Sequence, residues 1–172
     1  MHENSHAPLE IERKFLIRMP SVPALLAAGA RVWEIKQTYL TSPRGLSRRV
    51  RKIREADTVR YIYTEKVRLS PTTAEERECE LTEAEYTARL TERDPDRRTV
   101  EKTRYLLPCE DGHTAEVDIY AFWDDRATVE VELSREDEPF TLPACLSVVR
   151  EITEDKRYKN AALAKELPQD TL

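Results

Sequence analysis

The sequence is poor in the residues from which common catalytic and cofactor-binding motifs are built. It has only three glycines, three histidines and three cysteines, with no glycine-rich phosphate loop and no Cys-X-X-Cys pair. These shortages argue against P-loop and Rossmann folds, against histidine catalysis, and against a disulfide framework or structural zinc site. We expect Cys79, Cys109 and Cys145 to be free thiols in a reducing compartment.

Long apolar runs are missing as well. No stretch approaches the roughly 20 apolar residues that span a bilayer, and residues 1–8 lack the apolar core of a signal peptide. We therefore expect a cytoplasmic protein without membrane contact, whose residues 1–8 form a flexible tail. The 28 basic and 33 acidic residues give a net charge of −5, which argues against a specific nucleic-acid surface.

The length of 172 residues fits one domain with a substantial core. Charged residues make up 35% of the chain, well above the usual quarter or so. Clear apolar periodicity nevertheless argues against disorder. We expect one domain over residues 9–166, followed by a C-terminal tail at 167–172.

Eight segments have the composition of β-strands and follow one another closely. They cover residues 9–18, 31–40, 46–54, 58–69, 75–81, 99–107, 114–122 and 126–134. Helices are predicted at 24–28, at 82–93 behind a Thr82–Glu85 capping box, and at 156–166, and residues 139–149 as a short helix or loop. This order predicts a mainly β (α+β) fold, either an antiparallel sheet, a sandwich or a barrel.

Charges of one sign recur at alternate positions of these strands. Residues i and i+2 share a face, so each pair points to one side of its strand. The acidic pairs are Glu10 and Glu12, Glu78 and Glu80, Glu116 and Asp118, and Glu130 and Glu132; the basic pairs are Arg49 and Arg51, and Lys102 and Arg104, with Lys14 and Lys66 on similar faces. A sheet with one solvated face explains any single pair. The repetition instead indicates a closed lumen, in which the charges must be compensated by one another, by metal or by a polyanion.

This combination of charges suits a phosphoanhydride ligand. Lysine and arginine donate hydrogen bonds to phosphate oxygens. Carboxylates that face phosphate become useful when they hold a hard cation such as Mg²⁺ or Mn²⁺. The pattern therefore predicts a site where a metal ion lies between an acidic wall and a bound polyphosphate.

The segment Glu10-Ile11-Glu12-Arg13-Lys14-Phe15 resembles the N-terminal ExExK signature of the CYTH superfamily, also called triphosphate tunnel metalloenzymes. Residues 151–160 resemble the closing segment of the same family, and the likeness covers about residues 9–165. It implies an eight-stranded antiparallel barrel that forms an open tunnel with a few flanking helices. It also implies hydrolysis of inorganic triphosphate to pyrophosphate and phosphate with Mg²⁺ or Mn²⁺.

The resemblance also implies roles for individual residues. The metal ligands would be Glu10, Glu12, Glu130 and Glu132, and Glu116 and Asp118 would contact either the metal or the lysines. The phosphate-binding residues would be Lys14, Arg49, Arg51, Lys66, Lys102, Arg104, Lys156 and Tyr39, with the orientation of Tyr39 and Lys156 left open. The catalytic group would comprise Glu10, Glu12, Lys14, Glu78 and Glu80, of which the last two would position the attacking water or a second metal.

Several alternatives remain at this point. Within the superfamily, class IV adenylate cyclases and thiamine triphosphatases act on organic triphosphates and need a ring-recognition element at one mouth of the tunnel. A barrel that binds polyphosphate or nucleoside triphosphate without turnover is a second alternative, and a lipocalin-like carrier of an apolar ligand is a third. A homodimer is compatible with the sequence.

Overall fold

The computed structural model of the chain describes residues 8–172; residues 1–7, most of the predicted tail, lie outside the described part. Within residues 8–172 there are nine strands: β1 (Leu9–Arg18), β2 (Arg31–Leu40), β3 (Ser47–Glu55), β4 (Thr58–Arg68), β5 (Thr73–Leu81), β6 (Val100–Pro108), β7 (Thr114–Tyr120), β8 (Arg126–Leu133) and β9 (Val148–Glu151). The α-helices in this range are α1 (Val22–Ala27), α2 (Glu83–Arg89) and α3 (Asn160–Leu163), with single 3-10 turns at Leu90–Glu92 and Lys156–Tyr158.

The first eight strands close into an antiparallel barrel. Their order around it is β5-β4-β3-β2-β6-β7-β8-β1, and β1 returns to β5 through the pairs Leu9–Glu75 and Glu10–Ala74. The predicted eight-stranded antiparallel barrel is thus confirmed. Helix α2 begins at the predicted capping box, where the Thr82 hydroxyl accepts from the Glu85 backbone N–H and the Glu85 carboxylate accepts from the Thr82 N–H.

The ninth strand differs from the prediction, which gave residues 139–149 a short helix or loop. β1 pairs with β5 only at residues 9–11, so the same edge of β1 is left without a strand partner farther along. β9 pairs with that edge at Phe15, Leu16 and Ile17. It therefore satisfies backbone groups that would otherwise form an open edge. The predicted helix at 156–166 is also shorter, since it consists of a 3-10 turn followed by α3.

The main apolar core lies outside the barrel wall, because alternate residues of β7 and β8 are apolar and face away from the lumen. Val117, Val129 and Val131 have no exposed surface and belong to this core. Leu25 of α1 and Leu146 of the loop before β9 cover them from outside. The lumen itself is left to the charged faces of the strands.

The C-terminal segment, defined here as residues 152–161, lies across one end of the barrel. Its backbone is tied to β1, since Ile152 N donates to Lys14 O at 2.8 Å and Lys14 N donates to Thr153 Oγ1 at 3.0 Å. Next to it, the buried Leu163 of α3 packs against Tyr39 of β2 and Tyr120 of β7. This segment therefore brings polar side chains to a fixed place at the mouth of the lumen.

Three further expectations concern termini, thiols and membranes. Residues 167–172, expected to be a tail, contact the domain through Asp170, which accepts hydrogen bonds from Arg157 and Tyr158. The three cysteines are free thiols, with Cys109 buried. In the described part of the chain, no helix has the length and apolar character required to cross a bilayer.

Candidate active site in the tunnel

The barrel encloses a cavity of about 1110 Å³ to which all eight of its strands contribute side chains. Most of the predicted site residues line this tunnel, and those on strands other than β2 lie on the faces that the alternation predicted. They are Glu10, Glu12, Lys14, Tyr39, Arg49, Arg51, Lys66, Glu78, Lys102, Arg104, Glu116, Glu130, Glu132 and Lys156. The closed sheet thus brings together side chains that are as much as 146 positions apart in the sequence.

Carboxylates crowd around one lysine at the β1–β4–β5 side of the tunnel. The Lys66 ammonium forms an ion pair with Glu10 and lies 3.1 Å from Glu76 and 3.8 Å from Glu12. Burial, followed by repulsion from Glu12, raises the pKa of Glu10 to about 8. Burial and the charge of Glu130 likewise raise the pKa of Glu12. This corner of the tunnel therefore concentrates negative charge and favours an additional cation.

Lys14 of β1 compensates the negative charge of Glu130 of β8. Lys14 Nζ lies 3.1 Å from Glu130 Oε1, and both side chains are almost completely buried. Burial opposes charge on Glu130, but Lys14, Arg104 and Lys102 hold the pKa of this carboxyl well below its usual range. Glu130 is therefore an ionised oxygen donor directly beside Glu12.

Two arginines of β3 point into the tunnel from the opposite wall. Arg49 lies 3.4 Å from Glu76, and Arg51 forms an ion pair with Glu78. Burial and repulsion from Arg49 lower the pKa of Arg51 to about 10. Because two guanidinium groups are held close together with little water around them, this wall favours a polyanion.

Asp118 was expected to contact either a metal or the lysines, and in the structure it contacts the two cations of β6. Its carboxylate has no exposed surface and does not line the tunnel. It accepts from Arg104 Nε and Nη2 at 2.8 Å each, and from Lys102 Nζ at 2.6 Å. These bonds use both of its oxygens. Asp118 therefore orients the two cations of β6 from behind.

Glu80 was expected to be catalytic together with Glu78. It shares its strand face with Glu78, but it lies beyond the residues that line the tunnel. The acid that joins Glu78 in the lumen is Glu76, two residues earlier. Burial opposes ionisation of Glu76, but Arg49 and Lys66 lower its pKa to about 2.

Lys159 lines the tunnel as well, and the sequence reasoning did not single it out. It belongs to the C-terminal segment, and its Nζ donates to the Pro71 carbonyl at 3.3 Å. Burial and repulsion from Arg68, another tunnel residue, lower its pKa to about 8. Both Lys156 and Tyr39, whose orientation was left open, also line the cavity, and the Tyr39 hydroxyl accepts from Gln37 at 2.8 Å.

The carboxylate oxygens of the tunnel fit a divalent metal, although the described side chains do not already form a complete coordination shell. Within residues 8–172, no group of three or more histidine, cysteine or acidic side chains already forms a metal-binding cluster. Glu10 and Glu12 nevertheless supply hard oxygen donors, and burial together with repulsion from a neighbouring carboxylate raises the pKa of each. Together with Glu130, they match the preference of Mg²⁺ and Mn²⁺ for carboxylates plus retained water.

An inorganic triphosphatase of Nitrosomonas europaea is 35% identical to this chain over 164 residues, which are 92% of this chain and 99% of that protein. The chain belongs to the CYTH superfamily. No protein-family model matches this CYTH protein. The similarity extends over nearly the whole of both sequences, so it spans all eight strands of the barrel.

Two solved structures are similar to this CYTH protein. The inorganic triphosphatase NE1496 is 32% identical and superposes with a TM-score of 0.58 over 95% of this chain and 99% of that chain. The PH1819 protein of Pyrococcus horikoshii is 18% identical, with a TM-score of 0.56 over 74% of this chain and 80% of that chain. The second likeness supports the barrel fold alone.

Proposed function

We propose that this CYTH protein hydrolyses inorganic triphosphate to pyrophosphate and phosphate in its tunnel, with Mg²⁺ or Mn²⁺ as cofactor. The relative from Nitrosomonas europaea is an inorganic triphosphatase. The observation that carries the proposal is that cations and clustered carboxylates line one closed lumen. The cations are Lys14, Arg49, Arg51, Lys66, Lys102 and Arg104.

Substrate binding follows from exchange of ion-pair partners. Without ligand, the tunnel cations are compensated by carboxylates such as Glu78, which is 42% exposed, and Glu116, which is 28% exposed. Phosphate oxygens can replace these two exposed partners of Arg51 and Arg104. The bonds from Asp118 to Arg104 remain in place, so the guanidinium stays oriented when its tunnel-side partner changes.

Glu10, Glu12 and Glu130 would hold the metal, with Glu132 next along β8 as a further donor. A divalent ion bound there would neutralise phosphate oxygens and favour in-line attack by water.

The protein's own groups would bind and orient the reactants. Lys102 and Arg104 stabilise the charge that develops on the leaving pyrophosphate. Glu78, the most exposed of the tunnel acids near Arg51, is placed to orient the attacking water. Little proton transfer by protein groups is required, which agrees with the scarcity of histidine.

The direct test is phosphate release from tripolyphosphate with Mg²⁺, Mn²⁺, Ca²⁺ or no added metal. We expect metal-dependent release by the wild type and its loss in Glu10→Gln and Arg51→Ala. Arg54→Ala is the matched control, because Arg54 is on the same strand as Arg51 but is exposed and pairs only loosely with Glu34, at 3.8 Å. Full activity in both tunnel variants would overturn the assignment.

A substrate panel separates this proposal from its alternatives. Tight binding of tripolyphosphate without turnover under any metal would identify a non-catalytic binder. A cyclic product from ATP, or preferential hydrolysis of thiamine triphosphate, would identify another activity of the superfamily. The charges that line the lumen oppose an apolar carrier. A homodimer stays a prediction, which sedimentation would test.

A further inference from the structure

The end of the tunnel under the C-terminal segment presents a neutral amide among charged side chains. Asn160 belongs to this segment and lines the cavity together with Lys156 and Lys159. Its carboxamide oxygen Oδ1 accepts a hydrogen bond from the Tyr120 hydroxyl at 2.6 Å. The side chain is half-buried, so one part of it contacts the barrel wall and the rest faces the lumen.

Two buried hydroxyls fix the orientation of this amide. Tyr120 is 1% exposed and Thr128 has no exposed surface, and their side-chain oxygens lie 3.3 Å apart. Burial raises the pKa of Tyr120, so its hydroxyl stays protonated. Its one proton goes to Asn160, so the Thr128 hydroxyl donates to the Tyr120 oxygen. This chain of bonds holds Oδ1 against the wall and turns Nδ2 away from Tyr120.

The amide nitrogen of Asn160 is a donor without an acceptor in the protein. Among residues 8–172, no oxygen accepts a hydrogen bond from Nδ2, although the other end of the amide is fixed. The adjacent Lys156 and Lys159 cannot accept, because an ammonium group only donates. Neither of these lysines has a carboxylate within 4.0 Å in the described part of the chain. Donors therefore outnumber acceptors at this place, which favours an anionic ligand.

Strand register places the amide beside one end of the phosphate-binding wall. Tyr120 lies directly across from Lys102 in the pairing of β6 with β7, and the Lys102 ammonium is 5.6 Å from the centre of the tyrosine ring. Arg104 is two residues farther along β6, about 7 Å deeper in the tunnel. A triphosphate that extends along Arg104 and Lys102 thus brings one terminal phosphate towards Asn160.

We propose that Asn160 Nδ2 donates a hydrogen bond to the terminal phosphate of the substrate beside Lys102, and that Tyr120 positions this donor. The proposal rests on the proposed function and assigns a further substrate-binding residue to the same tunnel. A hydrogen bond to a charged acceptor is stronger than one between neutral groups. A neutral donor also adds this contact without adding another cation to a place where Arg68 and Lys159 already repel each other.

Calorimetry with non-hydrolysable imidotriphosphate and Mg²⁺ measures this contact without turnover. Asn160→Ala should weaken binding roughly tenfold, the order expected for one hydrogen bond to a charged group. Asn160→Asp should weaken it at least as much, because aspartate keeps the acceptor for Tyr120 but replaces the donor by a carboxylate. The matched control is Gln169→Ala, which removes an exposed amide outside the tunnel and should bind as the wild type does.

Tyr120→Phe tests the positioning role. It should weaken imidotriphosphate binding by a smaller factor than Asn160→Ala, and it should have no further effect in an Asn160→Ala background, because both changes act on one contact. If Asn160 served only to tie the C-terminal segment to β7, Asn160→Ala would lower the urea midpoint, and Asn160→Asp would bind imidotriphosphate normally.

Wild-type affinity in Asn160→Asp would therefore overturn the assignment while leaving triphosphate hydrolysis intact. Binding of imidotriphosphate by a wild type that does not hydrolyse tripolyphosphate would instead overturn the proposed function. The affinities of the Asn160 variants would still decide this contact.

Discussion

Replacing Asp118 by asparagine tests whether this acid is a scaffold for two cations. The side chain is fully buried and accepts three charge-assisted hydrogen bonds, two from Arg104 and one from Lys102. Removing one member of a buried ion pair costs about 3–5 kcal/mol, because the remaining charge is left uncompensated. Asparagine keeps an acceptor oxygen, and Arg104 keeps Glu116. We therefore expect a loss near the lower limit, about 3 kcal/mol.

Urea unfolding measures this loss, and the matched control is Asp125→Asn. Asp125 also bonds an arginine through two contacts, to Arg126 at 2.7 and 2.8 Å, but its side chain is 49% exposed. An exposed pair contributes about 0–1 kcal/mol. Titration with Mn²⁺ should show nearly wild-type affinity in Asp118→Asn and clearly weaker binding in Glu12→Gln. A stability loss in Asp118→Asn no larger than that of the control, or Mn²⁺ binding as weak as in Glu12→Gln, would refute the reasoning.

Three further predictions concern the remaining tunnel acids, the tunnel mouth and the outer loops. Glu76→Gln should lower kcat/KM for tripolyphosphate more than tenfold, because Glu76 compensates the charges of Arg49 and Lys66. The control Glu80→Gln should keep kcat/KM within about twofold of the wild-type value. Equal losses in the two variants would show that Glu80 also belongs to the site. Lys159→Met should raise the KM for tripolyphosphate about fivefold at pH 7, the effect of roughly 1 kcal/mol. Because the pKa of Lys159 is about 8, the difference from wild type should shrink by pH 9 in the same steady-state assay, and a constant difference would contradict this role.

The third prediction in this group is a pH dependence of stability. Hydrogen bonds to Asp111 and Glu138 raise the pKa of His113 above its usual value near 6.5. The protonated form is therefore favoured in the folded state, so its stabilising effect is complete below that value and fades as the pH rises above it. The urea midpoint of His113→Asn should thus fall below wild type most at pH 6 and least at pH 9; a pH-independent gap would contradict it.

The alternation of charged residues predicted which side chains point into the tunnel, because successive side chains of a strand point to opposite faces. Glu10, Glu12 and Lys14 all point into the lumen as predicted. The same period cannot tell how deep a residue lies along the barrel axis. For that reason Glu80 was expected inside the tunnel, although it lies beyond its lining.

Period also cannot show which charges compensate each other. Asp118 was grouped with Glu116 as a possible metal ligand, yet the register of β6 and β7 places Arg104 directly across from Asp118. That register depends on long-range closure of the sheet. Only the strand pairing in the folded barrel therefore reveals that Glu116 lines the tunnel, whereas Asp118 contacts Lys102 and Arg104 away from it.

The irregular segments were the hardest to predict from the local sequence. β9 has four residues without alternation, and it forms because β1 has an open edge to cover. Lys159 lies between a 3-10 turn and α3, where the sequence indicated one longer helix. Its place in the tunnel follows from the bonds of Ile152 and Thr153 to Lys14, which no periodicity predicts.

The central claim is that triphosphate and a divalent metal occupy this tunnel together. A crystal structure with Mn²⁺ and non-hydrolysable imidotriphosphate tests it most directly, because manganese is located by its anomalous scattering. We predict an anomalous peak bounded by Glu10, Glu12 and Glu130, with phosphate oxygens bonded to Arg51 and Arg104. Manganese or triphosphate bound only on the outer surface, with the ion pairs of the tunnel unchanged, would contradict the account.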